Sequence, residues 1–243
     1  MDKVHAAFIE LLAVKGITLS DRQLEQFEHY YRELVDWNER MNLTGITERE
    51  QVYIKHFYDS LSVSFFVPMG DVRTIADIGS GAGFPSIPLK IAFPHLQVTI
   101  VDSLNKRIQF LNHVVTTLKL SDVKLIHGRA EDTSRLPEHR DQYDVVTARA
   151  VARLAVLNEF CLPFVRTSGV FVAMKGNEIG DELAEAQYSL KELKGQWMST
   201  HPFELPVEHS VRHIVTIKKV AATPKKYPRK AGTPIKDPLI ISS

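Results

Sequence analysis

Three glycines at alternate positions are the residues of this chain most suited to binding a ligand. Gly79, Gly81 and Gly83 follow a mostly apolar run, residues 74–78, which is typical of a buried strand. Because glycine has no side chain, such a turn lets the backbone come close to a bound molecule. The G-x-G-x-G spacing differs from the G-x-G-x-x-G of dinucleotide sites, and no phosphate-loop Lys-Ser/Thr pair follows. The turn therefore favours a nucleoside without a pyrophosphate, although such turns also serve as plain tight connections.

Two carboxylates and a small residue stand at the ends of the next two predicted strands. Asp102 ends the apolar run 98–101, where an acidic residue can accept hydrogen bonds from two ribose hydroxyls. Its alternative role is to cap the helix that follows. After the third run, Ala130 leaves space for a purine ring, and Glu131 can accept a hydrogen bond from an exocyclic amine. Together with the glycines, these positions predict an adenosine site at one edge of a sheet.

The elements that must position these residues follow from the apolar pattern. The first 65 or so residues are predicted to be helical, and strands and helices alternate from residue 72 onward. Strands are predicted near 73–79, 97–102, 123–128, 143–148 and 169–175, with helices near 85–93, 104–119, 152–165 and 178–194. This alternation predicts a parallel sheet covered on both faces. The last two runs, 196–204 and 211–220, have no helix between them and predict an antiparallel hairpin at one edge.

Composition indicates an ordinary globular protein. The 243 residues are 44% hydrophobic and 24% charged, which fits one large domain, or one domain with an appendage. We predict a helical extension over 1–66, a core over 67–221 and a tail over 222–243. No apolar stretch is long enough to cross a membrane and no signal-peptide pattern is seen, so we expect a cytoplasmic protein. The scattered histidines predict no metal site, and the single cysteine, Cys161, is predicted to be a buried apolar residue.

Basic side chains are concentrated at the C-terminal end. From Lys218 onward there are seven Lys and Arg residues and one acidic residue, Asp237. Such a segment is typical of a solvated tail, or of an extended arm that lies on nucleic-acid phosphates. We therefore predict that Arg229 and Lys230 contact a nucleic acid.

If the bound nucleoside is a methyl donor, the residues near the end of the fourth predicted strand indicate which kinds of atom can accept the methyl group. Enzymes that methylate the exocyclic amines of bases typically have an Asn/Asp-Pro-Pro-aromatic turn here. Residues 144–150 have the sequence DVVTARA instead, which argues against an exocyclic amine as acceptor. Methylation of pyrimidine carbon requires an attacking thiolate, and Cys161 lies within a predicted helix. The remaining acceptors are a guanine ring nitrogen, or a ribose hydroxyl assisted by a lysine such as Lys175.

Arg149 and His56 are further candidates with two possible roles each. Arg149 can bind a carboxylate of the donor or the O6 edge of a guanine, or it can form a structural ion pair with Asp77 or Asp144. His56 and Asp59 lie three residues apart on one predicted helical face. They can contact substrate, or they can hold the N-terminal helices to the sheet.

Six segments of the chain match the motifs of one known family: residues 37–44 (WNERMNLT), 56–61 (HFYDSL), 77–85 (DIGSGAGFP), 128–131 (GRAE), 149–150 (RA) and 175–176 (KG). In these segments the chain resembles the small-subunit ribosomal RNA guanine-N7 methyltransferase G family, also called the glucose-inhibited division protein B family. The resemblance spans nearly the whole chain, and residues 226–234 resemble the Gram-positive branch. Ser86 replaces a glycine found in many relatives, and we expect it to alter the turn locally without removing binding.

The resemblance implies a class I S-adenosylmethionine-dependent methyltransferase fold. This is a Rossmann-like, mostly parallel seven-stranded sheet with an antiparallel edge hairpin, preceded by N-terminal helices. The implied reaction converts S-adenosylmethionine to S-adenosylhomocysteine and methylates N7 of a guanine in 16S ribosomal RNA, free or in a 30S particle. Guanine N7 bears no proton, so such a reaction needs no general base, and the catalytic residues stay unknown from the sequence; we further expect a monomer.

The predicted site residues fall into two sets. The resemblance implies donor contacts to Gly79, Phe84, Ala130, Glu131 and Arg149, and the residue pattern adds Gly81 and Asp102. The candidate contacts to the RNA are Pro85, Lys175, His56, Arg229 and Lys230.

Overall fold

A seven-stranded sheet forms the centre of the structure, a computed structural model that describes residues 2–149, 152–176 and 179–241. The strands are β1 (Thr74–Ile78), β2 (Gln97–Asp102), β3 (Val123–His127), β4 (Tyr143–Arg149), β5 (Val165–Lys175), β6 (Gly195–Glu204) and β7 (Val211–Lys219). Their order across the sheet is β3-β2-β1-β4-β5-β7-β6. Strands β1 to β5 pair in parallel, whereas β7 is antiparallel to both β5 and β6. The predicted parallel sheet with an antiparallel edge hairpin is therefore confirmed.

Helices cover both faces of the sheet and fill the N-terminal region. They are α1 (Lys3–Ala13), α2 (Asp21–Met41), α3 (Arg49–Val52), a π-helix (Tyr53–Tyr58), α4 (Asp59–Leu61), α5 (Val63–Phe66), α6 (Ser86–Ala92), α7 (Asn105–Thr117), α8 (Ala130–Thr133), α9 (Leu154–Cys161), α10 (Gly180–Glu185), α11 (Gln187–Leu193) and α12 (Thr233–Lys236). None of the helices in the described ranges is both long enough and apolar enough to span a bilayer.

Two predicted helices differ from the observed elements. The helix predicted over 152–165 ends at Cys161, because β5 already begins at Val165. Val165 pairs with Tyr143 of β4, and the register of this strand pair shifts between Tyr143 and Val145. The helix predicted over 178–194 is divided into α10 and α11, and residue 178 lies outside the described residues. Cys161 is fully buried, as predicted.

The N-terminal helices pack against the sheet through large apolar side chains. Phe8, Phe27 and Phe57 are each at most 1% exposed and belong to the same core as Ile75 of β1. The start of α2 is a capping box between Ser20 and Gln23. Because one core includes both regions, the helices fix the position of the residues at the ends of the strands.

The C-terminal tail folds back onto the body instead of extending into solvent. Tyr227 and Leu239 are only 4% and 7% exposed. The guanidinium of Arg140 donates hydrogen bonds to the carbonyls of Thr223, Pro224 and Tyr227. The prediction of a solvated tail or extended arm is therefore wrong, since local composition does not reveal which buried partners a basic segment meets.

Candidate active site: two clefts at the ends of the central strands

The three glycines of the turn after β1 have different structural roles. Gly79, Gly81 and Gly83 all have positive φ angles, +73°, +63° and +100°, which glycine adopts without strain. A Cβ atom at Gly83 would lie 2.7 Å from the hydroxyl of Tyr30 and 2.7 Å from Ile87, whereas a Cβ atom at Gly81 would meet no atom of the described part of the chain within 4 Å. Gly83 therefore permits close packing, and Gly81 faces open space.

The open space beside Gly81 is part of a cleft of about 460 Å³, which we call the glycine cleft. It lies where β1, β2 and β4 end, the edge at which parallel sheets bind ligands. Its lining residues are Leu43, Thr44, His56, Gly79, Ser80, Gly81, Ala82, Phe84, Asp102, Ser103, Arg107 and Arg149. Four of the predicted donor contacts besides Gly81 are thus together in one cleft.

Asp102 forms part of the wall of the glycine cleft and does not cap a helix. One carboxylate oxygen accepts a hydrogen bond from the backbone N–H of Gly81 at 3.0 Å, and the other accepts from Leu104 N–H at 2.9 Å. The guanidinium of Arg107 lies 3.3 Å away. Helix α7 begins at Asn105 with Leu104 as its N-cap, so the capping alternative for Asp102 is wrong.

Ala130 and Glu131 begin helix α8 but do not line the glycine cleft. Glu131 is 3% exposed, and its Oε1 accepts a hydrogen bond at 2.8 Å from the backbone N–H of Gly232 in the tail. The predicted contacts of Ala130 and Glu131 with an adenine stay predictions.

Arg149 stands at the end of β4 between the aromatic ring of Phe84 and a carboxylate. Its guanidinium carbon is 4.7 Å from the centre of the Phe84 ring, a cation–π contact. Its Nη1 donates a hydrogen bond to Asp59 Oδ2 at 3.0 Å. The alternative ion pair of Arg149 with Asp77 or Asp144 is therefore wrong; Asp144 pairs with Arg166 at 2.6 Å.

Asp77 accepts hydrogen bonds from Ser86, the residue that departs from the family pattern. The hydroxyl of Ser86 donates to Asp77 Oδ2 at 2.6 Å, and the Ser86 N–H donates to the same oxygen at 3.2 Å. Asp77 is fully buried, and burial raises the pKa of its carboxyl to about 6. The serine thus adds a hydrogen bond that glycine cannot make.

Pro85, a candidate RNA contact, is buried directly before α6. It lines neither the glycine cleft nor the second cleft described below.

His56 lies in the π-helix, a rare element that is frequent at functional sites. Its ring stacks on Phe84 at 4.6 Å. Nε2 lies 2.8 Å from the hydroxyl of Thr44, and Nδ1 lies 3.1 Å from the carbonyl of Lys55. Burial, and then the nearby charge of Arg149, lower the pKa of His56 to about 3. A neutral ring satisfies both contacts when Nδ1–H donates to the carbonyl and Nε2 accepts from the hydroxyl.

We expect His56 to make the folded protein sensitive to acid. Its pKa is about 3 when folded and near 6.5 when unfolded, so the unfolded chain binds more protons between these values. The stabilisation is present above about pH 6.5 and is lost as the pH falls toward about 3. Melting temperatures between about pH 6.5 and about pH 4.5 should fall more steeply for the unmodified protein than for His56→Gln, and equal slopes would contradict the assignment.

A second cleft of about 440 Å³ adjoins the first and is lined by cations; we call it the basic cleft. Its lining residues are Ile46, Lys55, His56, Asp59, Arg149, Met174, Lys175, Gly176, Arg212, His213 and Ile214. His56 and Arg149 line both clefts. The two spaces therefore share a wall at the end of β4.

Sequence reasoning missed Lys55 and Arg212 in the basic cleft. Arg212 lies on β7, far along the chain from the glycine turn, and only the pairing of β7 with β5 brings it near Arg149. No sequence signal distinguishes it from other strand cations. Lys175 lines the cleft, but its Nζ is 2.7 Å from a carboxylate oxygen of Glu182 and donates to the carbonyl of Ala152, and its predicted contact with RNA stays a prediction.

The cations of the tail, which include the predicted RNA contacts Arg229 and Lys230, are placed differently from one another. Arg229 forms a bidentate ion pair with Glu159, whose side chain is 1% exposed. Lys226 pairs with Glu192 at 2.8 Å, and Lys230 is exposed. The structure thus gives Arg229 a packing role, and the RNA contacts of Arg229 and Lys230 stay predictions.

The strand order, the antiparallel β7 and the glycine cleft define a class I methyltransferase fold. Similar solved structures are M. jannaschii TYW2 in complex with AdoMet (TM-score 0.51, 15% identity, covering 68% of this chain and 76% of that chain) and the [4+2]-cyclase SpnF (TM-score 0.53, 12% identity, covering 68% and 81%). At these identities the likeness concerns the fold alone.

Sequence comparison identifies the family. A family model described as rRNA small subunit methyltransferase G matches residues 23–214. The ribosomal RNA small subunit methyltransferase G of Brevibacillus brevis is 57% identical, covering 96% of this chain and 98% of the relative. That of an Exiguobacterium species is 56% identical, covering 97% and 99%. The chain belongs to the rRNA small subunit methyltransferase G family.

Proposed function

We propose that this protein transfers a methyl group from S-adenosylmethionine to N7 of a guanine in small-subunit ribosomal RNA. The observation that carries the proposal is the pair of adjoining clefts in a member of this family. One cleft is lined by the glycine turn, and the other is lined by cations suited to a nucleic acid. Because the clefts share a wall, the proposal has the two substrates bound side by side. We propose that the enzyme acts as a monomer in the cytoplasm, on free RNA or an assembled 30S particle.

The glycine cleft fits the donor. Gly81 leaves open the space that a side chain would fill, and Asp102 presents a carboxylate that can accept hydrogen bonds from ribose hydroxyls. Phe84 supplies an apolar surface, and Gly79 and Arg149 are further proposed donor contacts in this cleft. When bound, S-adenosylmethionine supplies an electrophilic methyl group, which N7 accepts with its lone pair while the bonding pair remains on sulfur.

The chain's own residues orient the reactants and need not move a proton, because guanine N7 carries none. His56 is neutral and hydrogen-bonded on both ring nitrogens, so it serves as a rigid part of the shared wall. Arg149 is held on one side by Phe84 and on the other by Asp59. Fixed walls of this kind accelerate an in-line transfer through orientation.

Methylation of a ribose hydroxyl is the alternative, and the position of Lys175 argues against it. A hydroxyl requires a base, and the ammonium of Lys175 is engaged by Glu182 and a backbone carbonyl.

A chemical cleavage assay distinguishes the two acceptors. Small-subunit RNA is incubated with the protein and labelled donor, treated with borohydride and aniline, and examined by primer extension. A stop at one guanine that requires both protein and donor is expected. Labelled RNA without such a cleavage site would indicate ribose methylation and overturn the proposal.

Asp102→Ala is expected to weaken donor binding by about 1–3 kcal/mol, because ribose hydroxyls in the cleft would lose their acceptor. Isothermal titration with S-adenosylmethionine and with S-adenosylhomocysteine measures the change. A lower melting temperature with unchanged affinity would show that the hydrogen bonds of Asp102 to Gly81 and Leu104 are its whole role.

A further inference from the structure

Asp59 is a buried carboxylate in the wall of the basic cleft, and its hydrogen-bonding capacity is mostly unused. The residue is 4% exposed. Its Oδ2 accepts a hydrogen bond from Arg149, whereas its Oδ1 is buried and has no hydrogen-bond partner among the residues that the structure describes. Arg212 Nε lies 3.7 Å from Oδ1, which is an ion pair but too long for a hydrogen bond. A buried acceptor without a partner is costly and rare in folded proteins, so its retention needs an explanation.

Holding Arg149 in place would not by itself require this arrangement. A carboxylate that only fixes an arginine can do so with two parallel hydrogen bonds, which is the stronger geometry. Asp59 makes one such bond, although Arg149 and Arg212 both line the same cleft beside it. The carboxylate therefore keeps acceptor capacity at the cleft in which the proposed function places the RNA base.

Guanine presents two neighbouring donors, N1–H and the N2 amine, on the edge opposite N7, and a carboxylate can accept from both. We propose that Asp59 is the specificity-determining residue that reads these two donors in the target guanine. The inference rests on the proposed function. With its N1–N2 edge at Asp59, the base directs N7 away from the carboxylate, toward the donor side of the cleft. Methylation leaves a positive charge on the guanine, and the anionic Asp59 stabilises that charge as it develops.

Inosine tests the proposal because it keeps N7 and N1–H but lacks the N2 amine. Small-subunit RNA is prepared by ligation with guanosine or inosine at the methylated position. For the unmodified protein, we expect kcat/KM to be about 10- to 100-fold lower on the inosine RNA, the usual discrimination of a lost base contact. Asp59→Asn should act slowly on both RNAs with a ratio near one, because its amide cannot accept both hydrogen bonds.

Asp144→Asn is the matched control, because Asp144 is also paired with an arginine but lies at the opposite end of β4. It should keep the full preference for guanosine. If Asp59→Asn keeps the preference, Asp59 only positions Arg149 and the proposal is overturned.

The unmodified protein alone can also overturn the proposal, should Asp59→Asn fail to fold. Equal methylation of guanosine and inosine RNA would show that the N2 amine is not read. The proposed function is judged separately, by N7 cleavage on the guanosine RNA.

Discussion

Gly81→Arg is expected to abolish binding of S-adenosylmethionine and to leave the protein folded. A Cβ atom at this position meets none of the described residues within 4 Å, and Gly81 lines the glycine cleft, so we expect the arginine side chain to extend into the cleft. The positive φ of +63° adds strain of about 1–2 kcal/mol, which a folded domain of this size tolerates. Titration should show affinity reduced by more than about 100-fold, since the side chain occupies the space of the donor.

Gly83→Ala is the control, and we expect it to lower the stability of the fold instead of blocking the donor site. Its Cβ atom would lie 2.7 Å from Tyr30 and Ile87, and these neighbours belong to the packed core. Overpacking and backbone strain should lower the free energy of unfolding by roughly 2–5 kcal/mol. Thermal melts and titration on both variants separate the two roles. Retained micromolar donor binding in Gly81→Arg would show that the donor lies elsewhere.

Arg229→Ala is expected to lower the free energy of unfolding by about 3–5 kcal/mol, because it leaves the Glu159 carboxylate buried without its partner. The Glu159 side chain is 1% exposed and accepts from two guanidinium nitrogens and from the backbone N–H of Arg229. Urea denaturation measures the loss. Lys230→Ala removes the neighbouring exposed cation and should change stability by less than about 0.5 kcal/mol.

A double variant tests whether the charge itself causes the loss. Glu159→Leu with Arg229→Leu removes both charges and fills the space with apolar groups, so it should be more stable than Arg229→Ala. If Arg229→Ala is as stable as the unmodified protein, the tail is not held by this ion pair.

Features set by local sequence were predicted well. The order of strands and helices follows from runs of apolar residues that have to be buried, and the capping box at Ser20 and Gln23 spans only three residues. The glycine turn could be recognised because positive φ angles at alternate positions favour glycine. The antiparallel hairpin followed from the absence of a predicted crossover helix between its strands.

Features that depend on contacts between distant residues could not be predicted. Arg149 meets Asp59, 90 residues earlier, and not Asp77 or Asp144 on the neighbouring or same strand. Arg229 meets Glu159, 70 residues away, and this pairing turns a basic segment into a packed one. In each case the ion pair that forms depends on which charged groups the folded core brings close together in a buried position. An unpaired buried charge is far more costly than a paired one. The residue types were evident from the sequence, whereas their partners were determined by the tertiary structure.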